Sequence, residues 1–86
     1  MEFKNIEWNC GVKGYLDESE KKNVEAIDSC CETLKKHGKQ IVVVIRIDGG
    51  NEFDIYNDKC QRIMYSMTAE QCKYAVYGIY AAVFRM

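Results

Sequence analysis

The sequence predicts an α+β fold: a two-layer sandwich, ordered α-β-β-β-α behind an extended N-terminal arm, with both helices on one face of a three-stranded antiparallel meander. Three observations predict it. Val24, Ile27, Cys31 and Leu34 recur at spacings of three and four, the stripe of an amphipathic helix. Ile41 to Ile45 is an unbroken β-branched run, which loses rotamer freedom in a helix and suits a pleated sheet. Thr68 with Gln71 three positions on is a capping box at the head of a strongly apolar C-terminal segment.

In the arm, Ile6, Trp8, Cys10 and Val12 alternate with polar residues, a pattern that allows an extra edge strand. The first helix spans Asp17 to His37. Asp17 caps it and Glu20 completes an acidic capping box. Glu18–Lys22 and Glu32–Lys36 stand at i,i+4 on the wet side. Lys35, Lys36 and His37 suit the negative helix end, and Gly38 is the left-handed stop.

The first long strand runs from Gln40 to Asp48, with Ile41, Val43, Ile45 and Ile47 on the core face. Register chooses the turn that follows. A loop from Gly49 to Asn51 pairs Ile47 with Phe53, Ile45 with Ile55 and Arg46 with Asp54, keeping apolar with apolar. A second loop, Asp58 to Cys60, sets Ile63 opposite Ile55, Tyr65 opposite Phe53 and Arg62 beside Tyr56, with a third strand from Gln61 to Met67. Met67 and Cys72 then form a hydrophobic staple across the cap of the last helix.

That helix is the anomaly. Cys72, Ala75, Val76, Ile79, Ala82, Val83 and Met86 complete a core face, while Tyr74, Tyr77, Ala81 and Phe84 make a second stripe. A helix apolar nearly all round is buried on two sides or meets a partner. Within the chain, Phe3, Ile6 and Trp8 of the arm are the segment placed to cover the second stripe. Val42, Val44 and Met64 add apolar surface on the opposite face of the sheet.

Eighty-six residues bound the chain to a single domain, residues 1–86. A hydrophobic content of 48% with 29% charged residues is that of a globular protein and excludes a disordered one. Twelve basic against thirteen acidic side chains exclude a strongly basic nucleic-acid arm and a polybasic membrane anchor. The first dozen residues mix charges among single apolar residues, unlike a signal-peptide core, and the longest uncharged run, Tyr74 to Phe84, is too short to cross a bilayer. Five cysteines, an odd count, favour reduced thiols and a cytoplasmic setting. With no C-x-x-C and one histidine, His37, neither a metal nor another cofactor is expected.

Asp48, Glu52, Asp54 and Asp58 gather at the two strand connections with only Lys59 among them. Turn preference explains such residues. The alternative is a negative surface, extended by Glu18, Glu25, Asp28 and Glu32, that docks into a basic groove of a protein partner. The positions Thr68-Ala69-Glu70-Gln71-Cys72-Lys73 and Asp48-Gly49-Gly50-Asn51-Glu52 bear on a resemblance. From Leu16 to Met86 the element order and length resemble the double-stranded RNA-binding domain, where the first of these positions grips phosphate and the second enters a minor groove. One lysine and three carboxylates at these positions work against phosphate neutralisation, so direct nucleic-acid binding is not expected and no residue of that family carries over. The arrangement is also similar to some small α+β phage inhibitors of CRISPR nucleases, which block nucleic-acid grooves with carboxylates.

The sequence therefore points to a small non-catalytic protein-binding module, an inhibitor or adaptor. Its expected contacts are Asp48, Glu52, Asp54 and Asp58 on the acidic face and Tyr74, Tyr77 and Phe84 on the last helix, with a homodimer or a stable partner covering the surplus apolar surface. The alternative is a thiol-dependent enzyme or redox protein using Cys72, in the first turn of a helix, or Cys60.

Overall fold

A computed structural model of the chain describes residues 4–8, 16–47 and 51–84. The element order is β1 (Ile6–Trp8), α1 (Glu18–Lys36), β2 (Ile41–Arg46), β3 (Glu52–Asn57), β4 (Arg62–Met67) and α2 (Ala69–Phe84). The α+β class is as the sequence predicts. The sheet, however, is four-stranded and mixed, in the order β1-β2-β3-β4, with β1 parallel to β2 and the remaining pairs antiparallel. A parallel neighbour needs a crossover, and α1 supplies it.

Both ends of α1 are fixed by local chemistry. Asp17 Oδ1 accepts the Glu20 amide at 2.7 Å and Glu20 Oε1 accepts the Asp17 amide at 3.3 Å, so both halves of the capping box form. At the other end the Lys39 amide donates to Leu34 O and the Gly38 amide to Lys35 O, a Schellman closure. Gly38 takes φ +79°, which a side chain would resist. The expected stripe of Val24, Ile27, Cys31 and Leu34 is wholly buried.

The arm is tied to α1 through Asn5. Its amide donates to Asp28 Oδ1 at 2.9 Å, and its Nδ2 to Asp28 Oδ1 at 3.3 Å and Glu32 Oε2 at 3.0 Å. The Asn5 hydrogen bond holds the Glu32 carboxyl below its ordinary range, with Lys35, Lys36 and Lys4 adding to the effect. Glu32 therefore serves the arm, and Glu18 sits 3.9 Å from Lys21. Ile6 enters the core at the β1 edge of the sheet, beside β2. Among the described residues, the arm does not cover the second stripe of α2.

Core-facing residues alternate along β2 and β3 as expected, but the pairing is shifted by two: Ile45 faces Phe53, Val43 faces Ile55 and Arg46 faces Glu52. A two-residue shift leaves every side chain on its original face, so apolar patterning alone cannot distinguish the two registers. The turn is longer than expected as a result, and Asp48, Gly49 and Gly50 lie outside the described residues.

The Asp58–Cys60 turn is as expected. Asn57 Oδ1 accepts the Lys59 and Gln61 amides, Cys60 adopts φ 61°, and Tyr56 faces Arg62. Beyond that point β4 slips twice, to Ile55↔Met64 and Phe53↔Met67. The expected partners Ile63 and Tyr65 are consequently not core residues; they are 46% and 63% exposed. Met67 packs against the core in their place and leads into the Thr68–Gln71 capping box, which forms in both directions.

The helices pack on each other, α1 over β2 and α2 over β3 and β4. Between them lie Val43, Ile45, Phe53, Ile55, Cys72 and Val76, all fully buried. Ala75, Ile79 and Val83 are half-buried against this core, Ala82 is exposed, and Met86 lies outside the described residues. Phe53 is the largest fully buried side chain among the described residues. Its truncation to alanine should cost about 3–5 kcal/mol, read as a lowered denaturant midpoint with an unchanged slope. An unchanged midpoint would contradict this placement of Phe53.

Candidate functional site

The face of the sheet opposite the helices carries Val42, Val44, Arg46, Glu52, Asp54 and Tyr56. Asp54 has no exposed surface. Its Oδ1 accepts the Ser66 amide at 3.0 Å. Arg46 Nε lies 3.0 Å from Oδ2 but out of line for a hydrogen bond, so that contact is one of charge. Arg62 adds a second positive charge at 3.9 Å. The Arg46 fork also donates to Glu52 Oε2 and, at 3.1 Å, to Ser66 Oγ.

These contacts engage two of the four acids expected on the docking surface, Glu52 and Asp54, within the chain. Asp54 is enclosed and balanced by two arginines, and Glu52 is paired with Arg46. Asp28 and Glu32 hold the arm, Glu18, Glu25 and Asp58 stand exposed, and Asp48 lies outside the described residues. The sequence register already set Arg46 across from Asp54; what patterning did not reveal is that Asp54 is fully buried and that Arg62 reaches it as well.

A cleft of about 330 Å³ opens on the same face over Val42 and Val44, between Glu7, Tyr56 and Cys60. No histidine stands beside the Cys60 thiol among its lining residues. Burial pushes the Cys72 thiol up to about 12, with the Asp54 charge adding to the shift, and Cys31 is likewise pushed to about 12 by burial first and by Cys72, Asp28 and Cys30 next. Near neutral pH both thiols are therefore held in their neutral form. Cys30, Cys31, Cys60 and Cys72 are all free, and Cys10 lies outside the described residues. Among the described residues no group of three or more His, Cys, Asp or Glu side chains is placed to hold a metal ion. No described helix is long and apolar enough to cross a membrane.

The stripe of α2 is brought together as expected. Tyr74 and Tyr77 are 60% and 40% exposed, and their rings meet edge-to-face at 6.3 Å. Lys73 Nζ lies 4.8 Å over the Tyr74 ring. Phe84 is exposed along one side, with His37 edge-on at 4.7 Å and Tyr80 at 4.5 Å. His37 is thus the exposed C-cap of α1 and an aromatic neighbour of α2. Tyr80, which the sequence reading missed, flanks the stripe; its helical phase was the available signal. On the opposite face of the sheet Ile63 and Tyr65 are exposed because β4 slips, with Arg62 4.7 Å over the Tyr65 ring. Gly78 lies on the exposed face of α2, where a Cβ would meet nothing within 4 Å. Glycine there costs the helix about 1 kcal/mol relative to alanine, and no contact within the described chain requires it.

No protein-family model, curated protein or solved structure matches this chain.

Asp54→Ala leaves the Ser66 amide without its acceptor and Arg46 and Arg62 without their buried counter-charge, and should cost about 3–5 kcal/mol, whereas Glu52→Gln, half-exposed, should cost under about 1 kcal/mol. Equal thermal shifts for the two variants would refute the buried role of Asp54. Alkylation of the folded protein at pH 8 should label Cys60 rapidly and Cys31 and Cys72 only after unfolding, as read by peptide mass spectrometry. Because these two thiols ionise more readily when unfolded, their contribution to stability is full below pH 9 and is lost as pH rises towards about 12.

Proposed function

We propose that this protein is a non-catalytic protein-binding module, an inhibitor or adaptor, whose contact surface is the outer face of α2. One observation carries the reading: Tyr74, Tyr77, Tyr80 and Phe84 all stand exposed on one helix, where tyrosines supply large contact area at low rotamer cost. A residue-free stretch of charge supports it further, since no Asp, Glu, Lys or Arg occurs from Tyr74 to Phe84. The thiol-enzyme alternative gains no support at Cys72, whose ionisation is suppressed. Docking through carboxylates gains none at Glu52 and Asp54, which are paired with arginine. The free thiols support a reducing, cytoplasmic setting.

A photo-crosslinking residue at Tyr74, in the full chain inside producing cells, should give a discrete protein adduct. The same residue at Glu25, on the exposed side of α1, should give none. Phe84→Glu should abolish the Tyr74 adduct while the circular dichroism spectrum is unchanged. Absence of any Tyr74 adduct, or equal adducts at both positions, would overturn the reading.

A further inference from the structure

We infer that the partner docked on α2 is an acidic protein segment, whose apolar side chains lie on the α2 rings and whose carboxylates meet a basic end of the molecule at Phe84. This rests on the reading of α2 as a protein-binding surface and gives that partner its chemistry.

The net charge of −1 conceals an uneven distribution. α1 begins with Asp17, Glu18 and Glu20 and ends with Lys35, Lys36 and His37. Lys39 follows at the same end, just before β2. Ile41 of β2 pairs with Asn57, so the turn from Asn57 to Gln61, which carries Lys59, lies there too. Lys4 belongs to this end as well, since it acts together with Lys35 and Lys36 on the Glu32 carboxyl. All five lysines are exposed. Among the described residues at this end the opposing acids are Asp58, which is exposed, and Glu32, which Asn5 already engages. From Thr33 to Ile47 there is no Asp or Glu. The two helix ends that meet here carry about half a negative charge each, so they offset about one of the lysines and leave the end basic.

The aromatic stripe of α2 runs into this basic end. Phe84 meets His37 edge-on at 4.7 Å and Tyr80 at 4.5 Å, so the rings and the lysines flanking His37 form one surface. From Gln71 to Met86 there is no Asp or Glu. Glu70 stands at the far end of the helix, followed by Lys73 with its Nζ 4.8 Å over the Tyr74 ring. The acids of α1 are also placed away from Phe84. Glu18 sits 3.9 Å from Lys21 in the first turn, Asp28 and Glu32 engage the arm, and Glu25 lies about three turns back from His37.

Charge complementarity therefore calls for an anionic partner at one end and an apolar one along the rings. A nucleic-acid strand carries a charge at every phosphate and is held by cations along its track. α2 offers none from Tyr74 to Phe84, and the opposite end of α1 is acidic. A protein segment can separate its apolar and acidic side chains, as an amphipathic helix does when it lies on a complementary strip. Opposite charge at one end also sets the direction of docking and rejects partners of the wrong sign.

The test follows amide chemical shifts of the isotope-labelled full chain with three synthetic amphipathic helical peptides. They share a leucine face and carry glutamate, glutamine or lysine at the polar positions. The glutamate peptide should shift Tyr80, Phe84, His37 and Lys39. Its affinity should exceed that of the glutamine peptide at least about fivefold, and that margin should vanish between about 0.1 and 1 M salt as the Debye length falls from about 10 to about 3 Å. Lys36→Glu with Lys39→Glu should turn the preference towards the lysine peptide. Lys21→Glu with Lys22→Glu, at the far end of α1, should leave it unchanged, and both variants should keep the native circular dichroism. Equal affinity for all three peptides at low salt would overturn the acidic partner and leave α2 standing as the binding face. No shift at Tyr80 or Phe84 with any peptide would also overturn it, and the Tyr74 adduct then decides the α2 reading separately. Tighter binding of an oligothymidylate than of the glutamate peptide would assign the basic end to nucleic acid and overturn the inference.

Discussion

Asp54 is an acid with no exposed surface on the side of the sheet that the helices leave uncovered. A buried carboxylate must have its charge balanced, and the structure balances it with Arg46 and Arg62 beside Oδ2 and the Ser66 amide donating to Oδ1. The Ser66 contact is the consequential one. It coincides with φ 57° at Ser66 and with the slips that carry β4 out of a regular ladder. A left-handed residue costs about 1–2 kcal/mol, which a charge-assisted hydrogen bond can offset. Because β4 slips, Met67 rather than Tyr65 lies opposite Phe53, and the Thr68 cap follows directly.

The opposite edge of the sheet is held by a related device. Asn5 joins β1 to Asp28 and Glu32 of α1, so the short parallel strand is secured by a polar clamp as well as by Ile6 in the core. Acids that would ordinarily decorate a solvated surface are engaged internally at both edges. The apolar surfaces left over, above all that of α2, become the distinctive exterior of the molecule.

α2 carries two faces of unequal purpose. Cys72 and Val76 complete the core, and at these sites burial holds a thiol in its neutral form. Tyr74, Gly78 and Ala81 look outward, where aromatic area and an open notch do nothing for the isolated fold. Retaining a mid-helix glycine and several bare rings on so short a chain is a cost that an interface would recover.

Much of this was legible in the residues themselves. The stripe from Val24 to Leu34, the Asp17–Glu20 and Thr68–Gln71 boxes, the Gly38 stop, the Asp58–Cys60 turn and the alternation of β2 and β3 depend on contacts within a few positions, so local sequence determines them. The exposed aromatic row of α2 was also readable, since helical phase alone separates it from the core face. The pairing of Ile45 with Phe53 instead of Ile47 was not, because shifts of two residues keep every face and leave apolar patterning unchanged. Nor was the parallel docking of β1, which depends on Asn5 reaching Asp28 and Glu32, 23 and 27 positions away. Only the tertiary structure decided that Asp54 would be buried and Ile63 exposed. Both follow from Arg46 and Ser66 converging on one carboxylate across three strands, and no periodicity along a single strand encodes where its neighbours place their charges.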